Sequence, residues 1–306
     1  MATDLGMPTA AVPNEPRTEW LSHSQIKSWT HCGEQFRLEK VVKVPSTTGW
    51  ALPGGSAVHT MSEVHDLNML GLDTSHLPPT FEEAFELEIV EREERAGISR
   101  DSFRASGRAS KENPNKEDYD WWLRSGPVFV ASWNRWIEQV PLEIWTTPEG
   151  TPAIELENVT LIGDNLKSKG YIDRILTTPG SDQPEYVVDL KSGSRKEDSP
   201  EQLGAYREDT RQRFGIAPPK GFFFYVRTGM PSETYSLNEF SVPRREWLYQ
   251  QVARAKREGI FIPHPSSMCG SCGVRDYCVY QNGVKSGEIR PPWVSIDEWE
   301  REGGEA

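Results

Sequence analysis

The stretch YVVDLKSGS, from Tyr186 to Ser194, is a run of aromatic and apolar residues that ends in glycine and serine. Such a run predicts a buried β-strand that stops at a turn. Side chains alternate between the two faces of a strand, so Asp189 and Lys191 point to one face and Leu190 to the other. An Asp-x-Lys tripeptide that stands alone is most often a surface ion pair, so its meaning depends on its neighbours.

A second acid lies in the preceding predicted strand. The segment GYIDRILTT carries Asp173, and a strand formed there can lie beside the first, which would bring Asp173, Asp189 and Lys191 together. Two carboxylates held close repel each other unless a cation lies between them, and an oxygen-rich pocket of this kind suits Mg²⁺ or Mn²⁺. Glu155 and Glu157 precede this strand, and one of them is a candidate for a further acid near the ion.

The segments around these acids predict the fold. Helices are indicated from Ser22, where Ser22-x-x-Gln25 has the capping-box pattern, and after a glycine-rich turn that ends at Ser56, a candidate N-cap. Two later helices cover SPEQLGAYREDTRQRFG and SVPRREWLYQQVARAKREGI. We therefore predict an α/β (α+β) fold in which a small mixed sheet is flanked by helices. The predicted strands are IELENVTLIG, GYIDRILTT, EYVVDLKSGS and GFFFYVRTG.

The chain of 306 residues is long enough for one large domain. We expect a flexible arm over residues 1–19, one domain over residues 20–285 and an acidic tail over residues 286–306. Within the domain we predict a helical insertion at about 66–142, a catalytic core at about 143–230 and a cysteine-containing segment at 261–281. The insertion is rich in tryptophan, for which core packing is favoured over base stacking. It also carries a basic series that would form a stripe if helical: Arg100, Arg104, Arg108 and Lys111.

The net charge of −12 argues against a protein that coats duplex DNA by phosphate neutralisation alone, although a local basic groove is compatible with it. The sequence has no long apolar run, and its N-terminal stretch lacks the basic and apolar regions of a signal peptide. We therefore expect a cytoplasmic protein with no membrane partner. Because the cytoplasm disfavours disulfides, the four cysteines point to a metal or to catalysis.

Three motifs follow one another along the chain: Gly170-x-x-Asp173, Asp189-x-Lys191, and Gln202-x-x-x-Tyr206 on the next predicted helix. Together they resemble the PD-(D/E)xK nuclease superfamily, in its RecB-like exonuclease branch. The resemblance implies a restriction-endonuclease-like core around a divalent ion, Mg²⁺ or Mn²⁺. A bound ion of this kind activates water and neutralises charge on the scissile phosphate, and phosphodiester hydrolysis requires both.

The resemblance also implies roles for individual residues. Lys191 would orient or activate the attacking water. Gln202 and Tyr206, four residues apart and therefore on one helix face, would lie along the bound strand. A histidine on an upstream helix would complete the ligand set, and His59, which follows GGSAV, occupies the matching position. The implied ligands of the divalent ion are His59, Asp173, Asp189 and the Leu190 carbonyl oxygen.

Three cysteines follow the pattern C-x2-C-x5-C near the C-terminal end, and a fourth stands alone near the N-terminal end; they are Cys269, Cys272, Cys278 and Cys32. One short loop can supply three thiolates to one metal centre. This layout resembles RecB-like nucleases with an iron-sulfur cluster, including the CRISPR-associated exonucleases and the AddB nuclease domain. The resemblance implies a [4Fe-4S] clamp, with tetrathiolate zinc as the alternative. Gly33, after Cys32, departs from the proline that the family often has there.

We therefore expect a metal-dependent DNA exonuclease that acts on single-stranded DNA or DNA ends in recombination, repair, or phage or CRISPR DNA processing. No G-x-x-x-x-G-K-[ST] motif occurs, so any unwinding would come from a separate helicase or recombination protein. The alternative is a catalytically silent iron-sulfur subunit that binds DNA within a helicase-nuclease complex. Retention of both acids and the lysine of the motif speaks against this alternative.

Overall fold

The computed structural model describes residues 19–163 and 165–291, and the strands in these ranges form one mixed sheet. The strands are β1 (Glu19–Trp20), β2 (Glu143–Ile144), β3 (Ile154–Leu161), β4 (Leu166–Thr177), β5 (Tyr186–Lys191), β6 (Lys220–Tyr225), β7 (Met230–Pro231) and β8 (Tyr235–Ser236). The helices are α1 (His23–His31), α2 (Gly33–Phe36), α3 (Ala51–Met69), α4 (Phe81–Ala96), α5 (Tyr119–Gln139), α6 (Glu201–Phe214) and α7 (Val242–Arg257), with a π-helical turn at Arg37–Val42. Short 3-10 turns lie at Arg100–Ser102, Ser267–Ser271, Arg275–Tyr277, Val279–Gln281 and Ser286–Glu288.

Strand β4 is the hub of the sheet. It pairs antiparallel with β2, β3 and β5 and parallel with β1. Strand β5 then pairs in parallel with β6 after the crossover through α6, and β7 and β8 add to β6 antiparallel. The predicted fold class, a mixed sheet flanked by helices, is confirmed, and the four predicted strands correspond to β3, β4, β5 and β6.

Helices cover both faces of the sheet. On one face α3 and α5 contribute to a core that includes Trp133, Val188 and Phe224, and α4 packs on α3. On the other face α6 packs through Leu203 against a cluster that contains Val187. Because Val187 and Val188 lie in different clusters, the alternation predicted for β5 is present. Asp189 therefore shares the face of Val187, which is the face covered by α6.

The first helix of the core begins as the sequence predicts, but the second does not. The Ser22 capping box is present at α1: its hydroxyl accepts from the Gln25 N–H, and the Gln25 side chain accepts from the Ser22 N–H. Helix α3, however, begins at Ala51, so the prediction of a glycine-rich turn with an N-cap at Ser56 is wrong. Gly54 lies inside the helix, and the Trp122 ring packs directly on it. A Cβ added at this position would lie 2.2 Å from an atom of that ring, so only glycine fits.

The segment between α4 and α5 is largely irregular, as its polar sequence predicts. It holds a 3-10 turn at Arg100–Ser102 and isolated bridges from Arg104 to Gly49 and from Ser106 to Glu117, so the basic series does not form a helical stripe. Arg100 is occupied by ion pairs with Glu86 and Glu93 at 2.9 and 3.0 Å. Trp122 and Trp133 of α5 are fully buried, which confirms core packing for these two residues.

The ends of the predicted domain plan fall partly beyond the described ranges. Of the predicted arm only Glu19 is described, where it opens β1, and the predicted acidic tail is described only as far as residue 291. None of the helices within the described ranges is both long and apolar enough to cross a membrane. The domain boundaries themselves stay predictions.

The contact between Gly54 and Trp122 yields a stability test. We expect Gly54→Ala to lower the free energy of unfolding by about 1–3 kcal/mol, because the new methyl group collides with a buried indole ring. This loss exceeds the gain of about 0.5–1 kcal/mol that alanine brings to an unstrained helix position. Urea denaturation measures the difference. Gly287→Ala, where the added Cβ has no neighbour within 4 Å, serves as the control and should unfold like the wild type.

Candidate active site

The candidate site lies where β4 and β5 separate. Their ladder pairs Arg174 with Val188, and one further step in this register puts Asp173 opposite Asp189. The ladder does not take that step, because the Leu190 N–H donates instead to Asp173 Oδ2 at 2.7 Å. Both carboxylates are nearly buried, with 6% and 2% of Asp173 and Asp189 exposed. The sheet thus opens at one end around two acids.

Helix α3 brings a histidine to this opening. His59 Nε2 lies 3.1 Å from the Leu190 carbonyl oxygen, and Nδ1 lies 3.2 Å from Glu155 Oε1 and 3.5 Å from Asp173 Oδ2. Ligand atoms of His59, Glu155 and Asp173 all lie within 4.8 Å of one another. Glu155 has a φ of 42°, in the left-handed region that residues other than glycine rarely adopt. Such local strain is concentrated at functional sites, where surrounding structure maintains it.

The charges at the opening are unbalanced without a cation. Burial, together with the charges of Asp189 and Glu155, raises the pKa of Asp173 to about 7, although His59 opposes this shift. Burial opposes protonation of His59, but Asp173 and Glu155 outweigh it and raise the pKa of His59 to about 9. A proton on His59 therefore partly offsets the carboxylates. A divalent ion would provide more positive charge at the same place.

Lys191 lies on the α6 side of the opening. Its Nζ is 2.7 Å from Asp189 Oδ2 and donates to Gln202 Oε1 at 2.9 Å. Gln202 in turn donates through Nε2 to the Tyr206 hydroxyl at 3.0 Å. Burial opposes charge on Lys191, but the carboxylate of Asp189 outweighs it and raises the pKa of Lys191, so the ammonium stays protonated. Glu197 is the second acid near this ammonium, at 3.7 Å.

Residues 20–279 match the family model of the PD-(D/E)XK nuclease superfamily. The chain belongs to this superfamily. Two curated relatives are the Gene 69 proteins of Mycobacterium phage D29, 29% identical, and Mycobacterium phage L5, 25% identical. Each alignment covers 84% of this chain and 95% of the relative. A crystal structure of a "Putative exonuclease" from Eubacterium rectale aligns with a TM-score of 0.45 and 14% identity over 94% of each chain.

The donor set of the nuclease fits a divalent ion. Carboxylate and carbonyl oxygens with one imidazole are ligands that Mg²⁺ and Mn²⁺ accept. Three of the four implied ligands lie close together: His59, Asp173 and the Leu190 carbonyl oxygen. Asp189 faces the Lys191 ammonium beside them. Of the two glutamates considered as a further acid, Glu155 joins the group.

Two further residues considered for the site, Glu157 and Tyr206, lie next to it without joining the group around His59. Glu157 is exposed on β3 and pairs with Lys169, so it does not reach the group around His59. Tyr206 is 8% exposed on α6, and its hydroxyl accepts from Gln202 Nε2 at 3.0 Å. The implied pair Gln202 and Tyr206 therefore lies on one helix face, as predicted, with its amide directed to Lys191.

A buried ionic network supports the site from the α3 side, and the sequence reading did not include it. Arg174 is fully buried; its Nε donates to Asp66 and its guanidinium also reaches Glu155 Oε1 at 3.2 Å. Asp66, also fully buried, accepts from Trp133 Nε1 at 3.0 Å. The network ties α3, α5, β3 and β4 together directly behind Glu155. Its sign in the sequence is Arg174 itself, a basic residue within the apolar strand segment YIDRILT, which indicates a buried ion pair.

Three of the four cysteines, Cys32, Cys272 and Cys278, lie near one another at the C-terminal end of α1. Cys32 separates α1 from α2, and the other three lie among the C-terminal 3-10 turns. Burial raises the pKa of Cys272 and Cys278, and Cys32 lies close enough to both to act in the same direction. Backbone N–H groups of His264 and Ser266 donate to the sulfurs of Cys32 and Cys269, each at 3.4 Å.

The departure at Gly33 has a physical reason: its N–H donates to the Ile262 carbonyl at 2.9 Å, and an added Cβ would lie 2.7 Å from the Ile262 nitrogen.

The buried network yields a second stability test. We expect Arg174→Met to lower the free energy of unfolding by about 3–5 kcal/mol, because it leaves Asp66 without its buried cationic partner. Urea denaturation measures this loss. The double variant Asp66→Asn with Arg174→Met should lose less than the sum of the two single variants. Additive losses would contradict the pairing, and Arg254→Met, which removes an exposed pair with Glu258, should have little effect.

Proposed function

We propose that this nuclease is a divalent-metal-dependent DNA exonuclease of the RecB-like branch. The observation that carries the proposal is the convergence of His59, Glu155 and Asp173 within 4.8 Å, beside the ion-paired Lys191 and Asp189. The proposed ligands are His59, Asp173, Asp189 and the Leu190 carbonyl, with Glu155 as a further acid. When bound, Mg²⁺ or Mn²⁺ would lower the pKa of a water and screen the scissile phosphate.

Each remaining residue has a role in positioning or charge. Lys191 orients the attacking water and offsets negative charge as it develops on the phosphate. Gln202, which accepts from Lys191 and donates to Tyr206, fixes the direction of the ammonium and presents the α6 face to the strand. Asp189 keeps Lys191 charged. Both backbone groups of Leu190 have partners: its N–H donates to Asp173, and its carbonyl oxygen lies within hydrogen-bond distance of His59 Nε2, which orients the carbonyl.

The substrate is DNA, single-stranded or with free ends, hydrolysed in the cytoplasm. Both curated relatives come from mycobacteriophages, which supports a role in phage DNA processing, recombination or repair. A separate helicase or recombination protein supplies single strands. A helical insertion, a catalytic core and a cysteine segment within residues 20–285 remain the proposed domain plan.

We further propose that Cys32, Cys269, Cys272 and Cys278 hold a [4Fe-4S] cluster. The donor set supports it, since thiolates are the ligands of such clusters and backbone N–H groups face two of the sulfurs. Closing a loop of about 240 residues costs roughly 5 kcal/mol plus a constant, which cluster binding would offset. The cluster would therefore act as a clamp.

The catalytic proposal is tested with end-labelled DNA in the presence of Mg²⁺ or Mn²⁺. We expect Asp173→Asn, Asp189→Asn and Lys191→Met each to reduce nucleotide release at least about a hundredfold, because each removes a ligand or the water-orienting cation. Lys196→Met, which removes an exposed lysine from the same loop, should retain activity. Degradation of DNA at the wild-type rate by Lys191→Met would contradict the assignment.

Two further results of this assay discriminate among related proposals. A wild-type protein that binds DNA but releases no nucleotide with either ion would support the catalytically silent subunit. Cleavage of a circular single strand as fast as a linear one would contradict the requirement for an end. The label released from each end of the linear strand gives the polarity of digestion.

The cluster proposal is tested by purifying the protein under anaerobic conditions. We expect a brown protein with broad absorption in the blue and with bound iron and sulfide. Cys32→Ser should lose this absorption and should show faster proteolysis of the C-terminal segment, because the clamp to the N-terminal helix is gone. A colourless wild-type protein with stoichiometric zinc would refute the cluster and support the tetrathiolate alternative.

A further inference from the structure

A second groove lies beside the candidate active site, between the irregular segment of the insertion and the cysteine segment. It has a volume of about 780 Å³. Its walls carry two cations, several hydroxyl groups and two glycines, and none of its lining residues is acidic, although the whole chain has a net charge of −12. The lining residues used below are Thr48, Gly49, Arg104, Lys116, Gly270 and Ser271.

The two cations of this groove are not engaged elsewhere. Arg104 and Lys116 are exposed, and within the described ranges neither side chain forms an ion pair. Lys116 has a φ of 63°, a left-handed conformation that is uncommon for lysine. Its neighbour Glu117 accepts from Arg227 at 2.8 Å and so holds this turn to the sheet. The chain therefore maintains a strained backbone that carries an unpaired cation at the groove.

The walls of the second groove adjoin those of the active-site groove, which is lined by His59, Glu155, Leu190 and Lys191 among others. On one wall, residues 47–49 line the second groove and Ala51 and Leu52, two to three residues later, line the first. On the other wall, Arg195 of the active-site groove contacts Met268 Sδ at 3.0 Å, next to Gly270 and Ser271 of the second groove.

Arg227 also connects residues of the two grooves. Arg227 Nε donates to the Ser192 carbonyl at 2.6 Å, and Ser192 lines the active-site groove. The same guanidinium holds Glu117, next to Lys116 of the second groove. One side chain thus fixes the relative position of the loop after β5 and the turn that carries Lys116. Arg227 therefore holds the turn that carries Lys116 beside the active-site groove.

We propose that this second groove, which we call the Arg104–Lys116 groove, binds the phosphodiester backbone of a single strand whose end occupies the active site. Two cations beside hydroxyl groups and glycine N–H groups match a chain of phosphates. A single strand is favoured over a duplex because a duplex requires a broad basic face, whereas this groove presents only two cations. The inference rests on the proposed function, since it extends the strand that the nuclease would cut.

The test compares binding of fluorescent oligothymidylates to the full chain without divalent ions, so that no strand is hydrolysed. Wild type should bind a strand of about sixteen nucleotides more tightly than one of about four, since site sizes of this order are typical of single-strand grooves. Arg104→Ala with Lys116→Ala should weaken binding of the long strand roughly tenfold and leave the short strand unchanged. Loss of two phosphate contacts should also make the salt dependence of log K shallower by about 1.4.

Arg108→Ala with Lys111→Ala is the matched control, because it removes the same charge from exposed residues of the same segment outside the groove. Three results would each overturn the groove. The control variant could lose as much affinity for the long strand as the test variant, the test variant could bind the long strand as tightly as wild type does, or it could lose as much affinity for the short strand as for the long one. Thermal melting of both variants checks that the fold is intact; a test variant that unfolds is replaced by Arg104→Gln with Lys116→Gln, which keeps the polar surface.

Failure of this inference is distinguishable from failure of the proposed function. A protein that shows the length-dependent loss but hydrolyses no DNA with Mg²⁺ or Mn²⁺ would retain the groove and lose the catalytic assignment. A protein that hydrolyses DNA, with equal KM for long strands in wild type and test variant, would retain the catalytic assignment and lose the groove. With both correct, the variant raises KM for long strands and leaves kcat unchanged.

Discussion

The bond from the Leu190 N–H to the Asp173 carboxylate controls the geometry of the site. In a continued antiparallel ladder the backbones of β4 and β5 would stay together past Arg174 and Val188. Because a side chain accepts this hydrogen bond, the strands separate there, and the Leu190 carbonyl turns to His59. The acid that opens the sheet is thus also the acid that faces the opening. Any change that closes the ladder would remove the site without removing a single functional residue.

The parts of this arrangement that follow from local rules were predictable from sequence. Alternating apolar residues identify β3, which is buried on one face, and apolar runs bounded by turn residues identify β5 and β6, which are buried on both faces. The shared face of Asp189 and Lys191 follows from strand alternation alone and is present as a 2.7 Å contact. The partner of this pair on α6, Gln202, also follows from local spacing, since Gln202 and Tyr206 lie one helical turn apart.

The parts that depend on tertiary contact were not predictable in the same way. Glycine is favoured both in chain turns and where another side chain packs closely on the backbone. Gly54 is of the closely packed type because of the Trp122 ring, which the local sequence does not reveal. Glu155 and not Glu157 joins the site because the register of β3 on β4 pairs Ile154 with Arg174 and Glu157 with Tyr171, which puts Glu155 beside Asp173. Arg174 carried a readable signal, a cation in an apolar strand, but its partner Asp66 is more than a hundred residues away. Long-range electrostatics therefore remained hidden in the sequence.

The cysteine segment and the Arg104–Lys116 groove share residues, which couples the two proposals. Gly270 and Ser271 form part of one groove wall and lie between Cys269 and Cys272. A cluster that fixes these two cysteines also fixes the wall between them, and the Gly273 carbonyl, which accepts from the Thr47 N–H at 3.0 Å, joins it to the opposite wall. Loss of the cluster would thus disturb the strand path before it disturbs the metal ligands, because His59, Asp173 and Leu190 are held by the sheet and α3. This order of events gives a clamp far from the chemistry a direct physical route to substrate binding.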